Sequence, residues 1–279
     1  MTLTVHTDLV QGSDEWLAAR LGLVTASVVG QLLSVSAPGA SAYDCPDCDA
    51  VPGDPCTSKV RKADQPPAPI KTMHPARVSV ASDRAATAPK IVTPSSGDMA
   101  RSLTLLLVSE RITGHVEDTF VSDDMIRGQL DEPLARAYYS QAHAPVTEVG
   151  LMVDDRWGFK VGYSPDGLVG DDGLIEVKSR KPKKQLATIL AGEPPTDTLA
   201  QMQAGMLVSG RPWCDYVSWC GGMPPFVTRV HADPAWAEAI VEAVATFEYA
   251  AAQMTDKYLE RTDGIPVAER VDHFAPIEF

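Results

Sequence analysis

One stretch near the N-terminus differs sharply in composition from the rest of the chain, and it constrains how the remainder can fold. Ten of the 22 prolines lie between Pro38 and Pro94, and few apolar runs separate them. Such a stretch cannot bury enough apolar surface to offset the conformational entropy that folding costs. We therefore expect residues 35–95 to be an insertion into a domain built from residues 1–34 and 96–279.

Outside the insertion, capping residues and apolar periodicity predict an α/β fold, with a mixed central sheet flanked by helices. The expected helices are 13–21, one that is capped by Thr25 or Ser27 and ends at 33, 96–112, 123–143, 183–190, 198–208 and 233–261. The expected strands are 146–153, 158–163, 174–179, 216–220 and 226–230.

Charge and composition exclude several classes of protein. The 279 residues contain 24 Lys and Arg against 37 Asp and Glu, a net charge of −13, which argues against a polybasic nucleic-acid binder. No apolar run reaches the roughly 18 residues of a membrane span, and residues 1–14 do not resemble a signal peptide. Five cysteines, an odd number, do not make a disulfide framework. We expect a cytoplasmic protein without a membrane segment.

A turn and a following strand hold the most informative polar residues. Asp166 lies in a turn at a strand end, while Glu176 and Lys178 lie two apart on a predicted strand and so share one face. Two carboxylates and a lysine are what metal-dependent phosphodiester hydrolysis needs, because hard oxygen ligands hold Mg²⁺ and the ammonium orients water. The alternative is an ordinary surface hairpin with solvated charges.

The wider sequence context resembles a known family. Asp166 and the segment 176–178 match the two half-motifs of the PD-(D/E)xK nuclease superfamily, which has a restriction-endonuclease-like core. More specifically, the chain resembles the lambda-exonuclease-like alkaline nucleases, also called YqaJ-like viral recombinases. The matching segments follow the family's order and are 11–16, 20–22, 25–27, 128–133, 162–167, 176–178 and 201–203.

The resemblance implies a set of catalytic residues. Glu132, Asp166, Glu176 and the backbone carbonyl of Val177 would bind Mg²⁺ (or Mn²⁺), and Lys178 would position the attacking water. Gln203 would contact that water or the scissile phosphate. Without the family, Glu132 is a helix-surface residue paired with Arg136, and Gln203 is a polar residue on an amphipathic helix.

The resemblance also implies DNA contacts. Arg20 and Ser27 match positions that hold a phosphate near the entering DNA end, and a guanidinium with a nearby hydroxyl suits an anion. Arg180, Lys181, Lys183 and Lys184 form a basic run directly after Lys178 that would contact the DNA backbone. The alternatives are ordinary caps and a solvated charged face, and Trp16 is expected to pack rather than to stack on a base.

The insertion contains a pattern typical of zinc sites. Cys45, Cys48, Cys56 and His74 offer three thiolates and an imidazole for one tetrahedral Zn²⁺, which would order a segment poor in apolar residues. Residues 45–77 resemble small zinc-binding modules of phage proteins. The alternative is a mobile loop with unpaired thiols. An iron–sulfur nuclease is disfavoured, because such enzymes use one cysteine far upstream and three near the C-terminus, whereas Cys214 and Cys220 stand alone. Both lie on or beside a predicted strand and are expected to be buried.

The resemblance implies a Mg²⁺-dependent exonuclease that digests linear double-stranded DNA from the 5′ end. The 3′ single-stranded tails would pass to a single-strand annealing protein, and the enzyme would be a homo-oligomer, a ring trimer in many family members. Two alternatives stay open: an endonuclease or repair nuclease on the same fold, and a non-catalytic, zinc-dependent DNA-binding adaptor.

Overall fold

The computed structural model describes residues 2–58, 65–116 and 121–270. The strands are β1 (Leu3–His6), β2 (Val24–Thr25), β3 (Leu33–Ser36), β4 (Ile91–Pro94), β5 (Val146–Thr147), β6 (Leu151–Asp154), β7 (Val161–Tyr163), β8 (Gly167–Val169), β9 (Gly173–Ser179), β10 (Trp213–Trp219) and β11 (Phe226–His231). The α-helices are α1 (Asp14–Arg20), α2 (Ala26–Val29), α3 (Pro75–Arg84), α4 (Asp98–Thr113), α5 (Asp123–Ala142), α6 (Pro182–Ala191), α7 (Thr196–Ser209) and α8 (Pro234–Thr262).

Two sheets form the centre of the described chain. A five-stranded sheet has the order β11-β10-β9-β8-β5, with β9 and β10 parallel and the other neighbours antiparallel. A four-stranded sheet has the order β1-β6-β7-β2, in which only β2 and β7 are parallel. These mixed sheets flanked by helices confirm the expected α/β class.

Strand β9 lies between two apolar cores. Leu174 belongs to a large core in which α4, α7 and α8 pack together, whereas Ile175 and Val177 belong to a smaller core beneath α5. The alternation expected for this strand is therefore present, and both of its faces are covered. A strand buried in this way holds its side chains in fixed positions, which matters for Glu176 and Lys178 on the first face.

The insertion begins and ends at one point of the fold. Strands β3 and β4 pair antiparallel, with Ser36 opposite Ile91, so residues 37–90 leave and return side by side. Strand β4 also packs against α8. Within the described ranges, no helix combines the length and apolar character of a membrane span.

Two expected elements differ in the structure, and strands β1, β2, β3, β4 and β8 and helix α3 were not among the expected elements. The helix expected to end at residue 33 stops at Val29, because a 3-10 turn follows and Leu33 starts strand β3. The strand expected at 146–153 is split into β5 and β6, which belong to different sheets. Gly150 lies at this break, where a Cβ atom would come within 2.0 Å of the Leu9 carbonyl oxygen. Long-range packing thus overrides local propensity in both places.

Candidate metal site and nucleic-acid interface

Strand β9 brings Glu176 and Lys178 together. The Glu176 side chain is fully buried, and its Oε1 lies 2.6 Å from Lys178 Nζ. The Lys178 ammonium also donates a hydrogen bond to Oε1 of Gln201 on α7, at 3.0 Å. Oε2 of Glu176 has no hydrogen-bond partner among the described residues. A buried carboxylate oxygen without a partner is unfavourable, so this atom is available to a cation.

Asp166 is held against the same strand. It directly precedes β8, which pairs with β9 so that Gly167 lies opposite Ile175. Its Oδ2 accepts a hydrogen bond from the backbone N–H of Val177, at 2.6 Å. Val177 therefore positions Asp166 through its amide, while its carbonyl as a metal ligand stays a prediction.

Glu132 approaches this group from α5. Its Oε1 pairs with Arg136, one helical turn later, as the sequence spacing indicated. Arg136 uses its other arm to pair with Glu148, the residue that follows β5. Burial and the nearby Asp166 carboxylate raise the pKa of Glu132, which places Glu132 within the electrostatic reach of the acidic pair.

The three carboxyl groups repel one another, with Glu176 fully buried and Asp166 and Glu132 partly buried. Burial and the Glu176 carboxylate raise the pKa of Asp166 to about 7, and burial raises the pKa of Glu176. Burial alone would lower the pKa of Lys178, but the Glu176 and Asp166 carboxylates outweigh it and raise this pKa to about 12. A hard divalent cation would relieve the repulsion, and the oxygen donors of Glu132, Asp166 and Glu176 suit Mg²⁺ or Mn²⁺.

The placement of Gln203 corrects the sequence-based expectation. Its Nε2 donates to the carbonyl of His231 at 2.9 Å, and its Oε1 accepts from the N–H of Asp233 at 3.0 Å. Both ends of this buried amide therefore join α7 to the start of α8. Gln201, two residues earlier, contacts Lys178 instead. Gln201 rather than Gln203 is therefore the glutamine that contacts Lys178, because the two side chains leave α7 on different faces.

Arg20 and Ser27 lie together, as expected. The Arg20 Nη2 donates to Ser27 Oγ and to Thr25 Oγ1, both at 3.1 Å, and the guanidinium lies 3.9 Å from the Trp16 ring centre. Burial lowers the pKa of Arg20 to about 10, so the group stays charged at neutral pH. A fixed guanidinium beside two hydroxyl groups can hold a phosphate.

The N-terminal segment also supports the loop that contains Asp166. Trp16 Nε1 donates to Ser164 Oγ at 2.9 Å, and Gln11 Nε2 donates to the Pro165 carbonyl at 3.0 Å. Trp16 is thus tied to the protein by its indole N–H, and the choice between packing and base stacking stays a prediction. The hydrogen bonds themselves could not be found from sequence, because the partners are about 150 residues apart.

The basic run after Lys178 is divided between paired and exposed side chains. Arg180 Nη2 donates to Tyr216 Oη at 3.0 Å and to Thr198 Oγ1 at 3.1 Å. Lys181 Nζ lies 2.8 Å from Asp124 Oδ1 on α5. Lys183 and Lys184 are exposed in the first turn of α6. Their contact with DNA stays a prediction.

The insertion brings its four candidate zinc ligands together. The ligand atoms of Cys45, Cys48, Cys56 and His74 all lie within 4.8 Å of one another, and Cys45 Sγ lies 3.3 Å from His74 Nδ1. The N–H of Thr57, which donates to Cys48 Sγ, lowers the pKa of that thiol to about 6. A thiolate is the form that binds metal, so the group fits a Cys₃His zinc site.

Arg77 is a structural residue that the sequence pattern did not reveal. It is fully buried, three residues after His74, and forms no ion pair with an acidic side chain among the described residues. Its guanidinium donates to the carbonyls of Tyr43 and Asp54 at 2.7 Å and of Val51 at 2.8 Å. These bonds tie helix α3 to the loop that contains the cysteines. The sequence did not reveal this role, because the carbonyl groups that surround Arg77 come together only in the folded chain.

The mixed sheet, with Asp166 in the turn before β8 and Glu176 and Lys178 on β9, has the arrangement expected for the PD-(D/E)xK nuclease class. Within that class, the chain belongs to the YqaJ-like viral recombinase domain family, whose model matches residues 73–212. A second family model, described as "Putative DNA-binding phage zinc finger domain", matches residues 13–94.

Solved structures of one exonuclease are similar to the whole chain. The alkaline exonuclease LHK-Exo from Laribacter hongkongensis is 29% identical with a TM-score of 0.62, and the match covers 90% of this chain and 98% of that one. LHK-Exo in complex with dAMP is 27% identical with a TM-score of 0.64, covering 91% and 100%. Comparison with the curated proteins gave no match.

Proposed function

We propose that this chain is a Mg²⁺-dependent (or Mn²⁺-dependent) exonuclease that digests linear double-stranded DNA in the 5′-to-3′ direction. The protein is a deoxyribonuclease of the exonuclease type. The observation that carries the proposal is the buried Glu176 carboxylate, which lies against Lys178 and has one oxygen without a partner. Loss of catalysis would leave no reason to keep these charges buried, because they cost stability.

The described residues divide the catalytic work. Glu132, Asp166 and Glu176 would hold the metal, which when bound polarises the scissile phosphate and lowers the pKa of water. Lys178 holds its proton at neutral pH, so it orients the water as a hydrogen-bond donor rather than accepting a proton from it. Gln201 fixes the Lys178 ammonium through the hydrogen bond from α7.

The polarity of digestion would follow from the Arg20 pocket. A 5′-terminal phosphate is a dianion near neutral pH and gains two charge-assisted hydrogen bonds from a guanidinium. Arg20, Thr25 and Ser27 offer such a pocket. Arg20 lies on α1, and Trp16 of the same helix contacts the loop that contains Asp166. Arg180, Lys181, Lys183 and Lys184 would follow the DNA backbone. LHK-Exo was solved with dAMP, a deoxynucleoside monophosphate of the kind that digestion from an end releases.

The zinc module and the partners complete the proposal. Zn²⁺ bound by Cys45, Cys48, Cys56 and His74 would order residues 35–95, and the second family description supports a role for this segment in DNA binding. The 3′ single-stranded tails would pass to a single-strand annealing protein in phage-type recombination in the host cytoplasm. A homo-oligomer, a ring trimer by resemblance, would keep the enzyme on its substrate.

The deciding experiment compares linear with closed-circular duplex DNA in Mg²⁺, using 5′-phosphorylated and 5′-hydroxyl ends. We expect digestion of linear DNA alone, faster from the phosphorylated end, and none with Glu176→Ala. Arg20→Ala should remove the preference for the 5′-phosphate, whereas Arg101→Ala, on an exposed arginine of α4, should keep it. Cleavage of circles would instead indicate an endonuclease, and binding without cleavage would indicate the adaptor.

A further inference from the structure

Arg136 connects the site to a residue that no part of the proposed mechanism uses. One arm of its guanidinium pairs with Oε1 of Glu132, the proposed metal ligand. The other arm pairs with Oε2 of Glu148. The Arg136 side chain is only 13% exposed, while that of Glu148 is 73% exposed. One cation therefore lies between a partly buried carboxylate of the site and a carboxylate at the surface.

The position of Glu148 follows from the sheet. Glu148 comes directly after β5, and β5 pairs with β8, the strand that begins right after Asp166. Glu148 thus lies at the sheet edge next to the Asp166 turn, while Arg136 reaches it from α5. Glu132 and Arg136 both lie on α5, and Glu148 follows β5. The contacts of Arg136 therefore depend on the same packing of α5 against the sheet that places Glu132 near Asp166.

Glu132 cannot fully serve both the metal and Arg136. Oε1 of Glu132 pairs with the guanidinium of Arg136. When the Glu132 carboxylate turns towards a metal ion, it gives up part of that ion pair. If Glu132 were the only carboxylate partner of the largely buried guanidinium, losing it would cost much free energy. Glu148 removes most of that cost, because Arg136 keeps one partner when Glu132 turns. The Nε of Arg136 is buried without a hydrogen-bond partner among the described residues, so the group has little other compensation.

We propose that Glu148 is a positioning residue that sets the metal affinity of the site by competing with Glu132 for the guanidinium of Arg136. The inference rests on the proposed function, since it assumes that Glu132 is a metal ligand. Glu148 itself does not contact metal or DNA phosphate in this account. Its effect passes entirely through Arg136.

The test is a double-mutant cycle with Glu148→Gln, Arg136→Gln and the double variant. Zinc-loaded protein, freed of other divalent ions without a strong chelator, is titrated with Mn²⁺ in the absence of DNA. The bound fraction is read from the electron paramagnetic resonance signal of free Mn²⁺ and from the rise in Tm. The Mg²⁺ midpoint of DNA digestion gives a second measure of the same affinity.

We expect Glu148→Gln to raise the metal midpoint about two- to fivefold, the range of a partly exposed ion pair, with a smaller loss of turnover at saturating metal. In the Arg136→Gln background the same substitution should have no effect on the midpoint. Asp98→Asn removes the same charge from an exposed ion pair on α4 and should leave the midpoint unchanged. Arg136→Lys, which keeps the charge without the two-armed fork, should weaken the effect of Glu148→Gln.

Two results would overturn the inference. One is an unchanged midpoint in Glu148→Gln. The other is an equal shift with and without Arg136, which would show that Glu148 acts only as a distant charge. Failure of the proposed function looks different, because Glu176→Gln would then leave Mn²⁺ binding unchanged in the otherwise native protein.

Discussion

The ammonium nitrogen of Lys178 lies 2.6 Å from Oε1 of Glu176, the residue two positions earlier on the same face of β9. The contact neutralises part of a buried negative charge while leaving the second oxygen of Glu176 without a partner. The Lys178 side chain thus has two roles in the site, one towards the carboxylates and one towards the attacking water. Its cation offsets the repulsion between Glu176 and Asp166, and its one remaining N–H group is available to a water molecule.

The first prediction concerns Lys178→Met, which keeps the length of the side chain but removes the charge and the donors. We expect turnover on linear DNA to fall by about 10²- to 10⁴-fold, because the attacking water loses its orienting group. DNA affinity in Ca²⁺ should change little. Lys257→Met, the same change on an exposed lysine of α8, should keep normal turnover. Near-normal turnover of Lys178→Met at saturating DNA and Mg²⁺ would remove Lys178 from the mechanism.

The second prediction compares Gln201→Ala with Gln203→Ala, the same substitution two residues apart on α7. Gln201→Ala should lower turnover by about 10- to 100-fold with little change in Tm, because Lys178 loses the bond that fixes it. Gln203→Ala should lower the free energy of unfolding by about 1–2 kcal/mol, because it removes the two hydrogen bonds that join α7 to His231 and Asp233 at the start of α8. Steady-state kinetics and urea unfolding of both variants would measure this. A larger loss of turnover in Gln203→Ala would restore the sequence-based assignment.

Residues 201 and 203 also show why part of the site could not be read from the sequence. Two positions along a helix differ by about 200° in direction, so either glutamine could face Lys178 until the rotation of α7 against the sheet is known. The sequence motif identified α7, but only the packing of α7 against the sheet shows that Gln201 faces Lys178. Glu176 and Lys178 were different, because a strand repeats every two residues and the buried Ile175 and Val177 left only one face for them.

The same contrast holds for the fold. Helix α8 could be predicted, because Asp233 accepts a hydrogen bond from Ala235 and Pro234 suits the first helical turn. The end of α4 could be predicted because Gly114 adopts the left-handed conformation there, with φ of 66°. The break at Gly150 depends on the Leu9 carbonyl, which lies far away in sequence. Local chemistry therefore fixes the start of α8 and the end of α4, whereas the end of α2 and the strand partners depend on the complete chain.

The third prediction concerns the insertion. Because Ser36 lies opposite Ile91, residues 37–90 can be replaced by an Asn-Gly turn that closes β3 and β4 as a hairpin. We expect the shortened protein to fold and to digest linear DNA in Mg²⁺, since none of the proposed catalytic residues lies in the removed segment. The affinity of the shortened protein for DNA should decrease and depend less steeply on salt, because contacts between the zinc module and the DNA phosphates are lost.

Fluorescence anisotropy with a labelled duplex at several salt concentrations would measure that change. The matched control is Cys48→Ser in the full chain, which removes one zinc ligand and leaves the rest of the module in place. If the shortened protein fails to fold while Cys48→Ser digests DNA normally, the segment is part of the structural core rather than an accessory module.

The fourth prediction concerns pH and the metal-free protein. Burial and Glu176 raise the pKa of Asp166 from 3.8 to about 7, so the folded state favours the protonated carboxyl more than the unfolded state does. The stabilisation from this group is complete below the unfolded pKa and is lost as pH rises through the folded value. The Tm of zinc-loaded, Mg²⁺-free protein should therefore fall between about pH 4 and pH 7 and level off at higher pH.

Asp166→Asn removes the titrating group and should show a smaller fall, whereas Asp98→Asn, on an exposed aspartate, should behave like the unmodified chain. Mg²⁺ should raise Tm more at pH 8 than at pH 6, because it replaces protons on the carboxylates. Differential scanning calorimetry at fixed ionic strength would give both comparisons. A Mg²⁺ effect that is equal at the two pH values, or that Asp166→Asn retains in full, would place the metal elsewhere, because a ligand with a raised pKa must release its proton to bind.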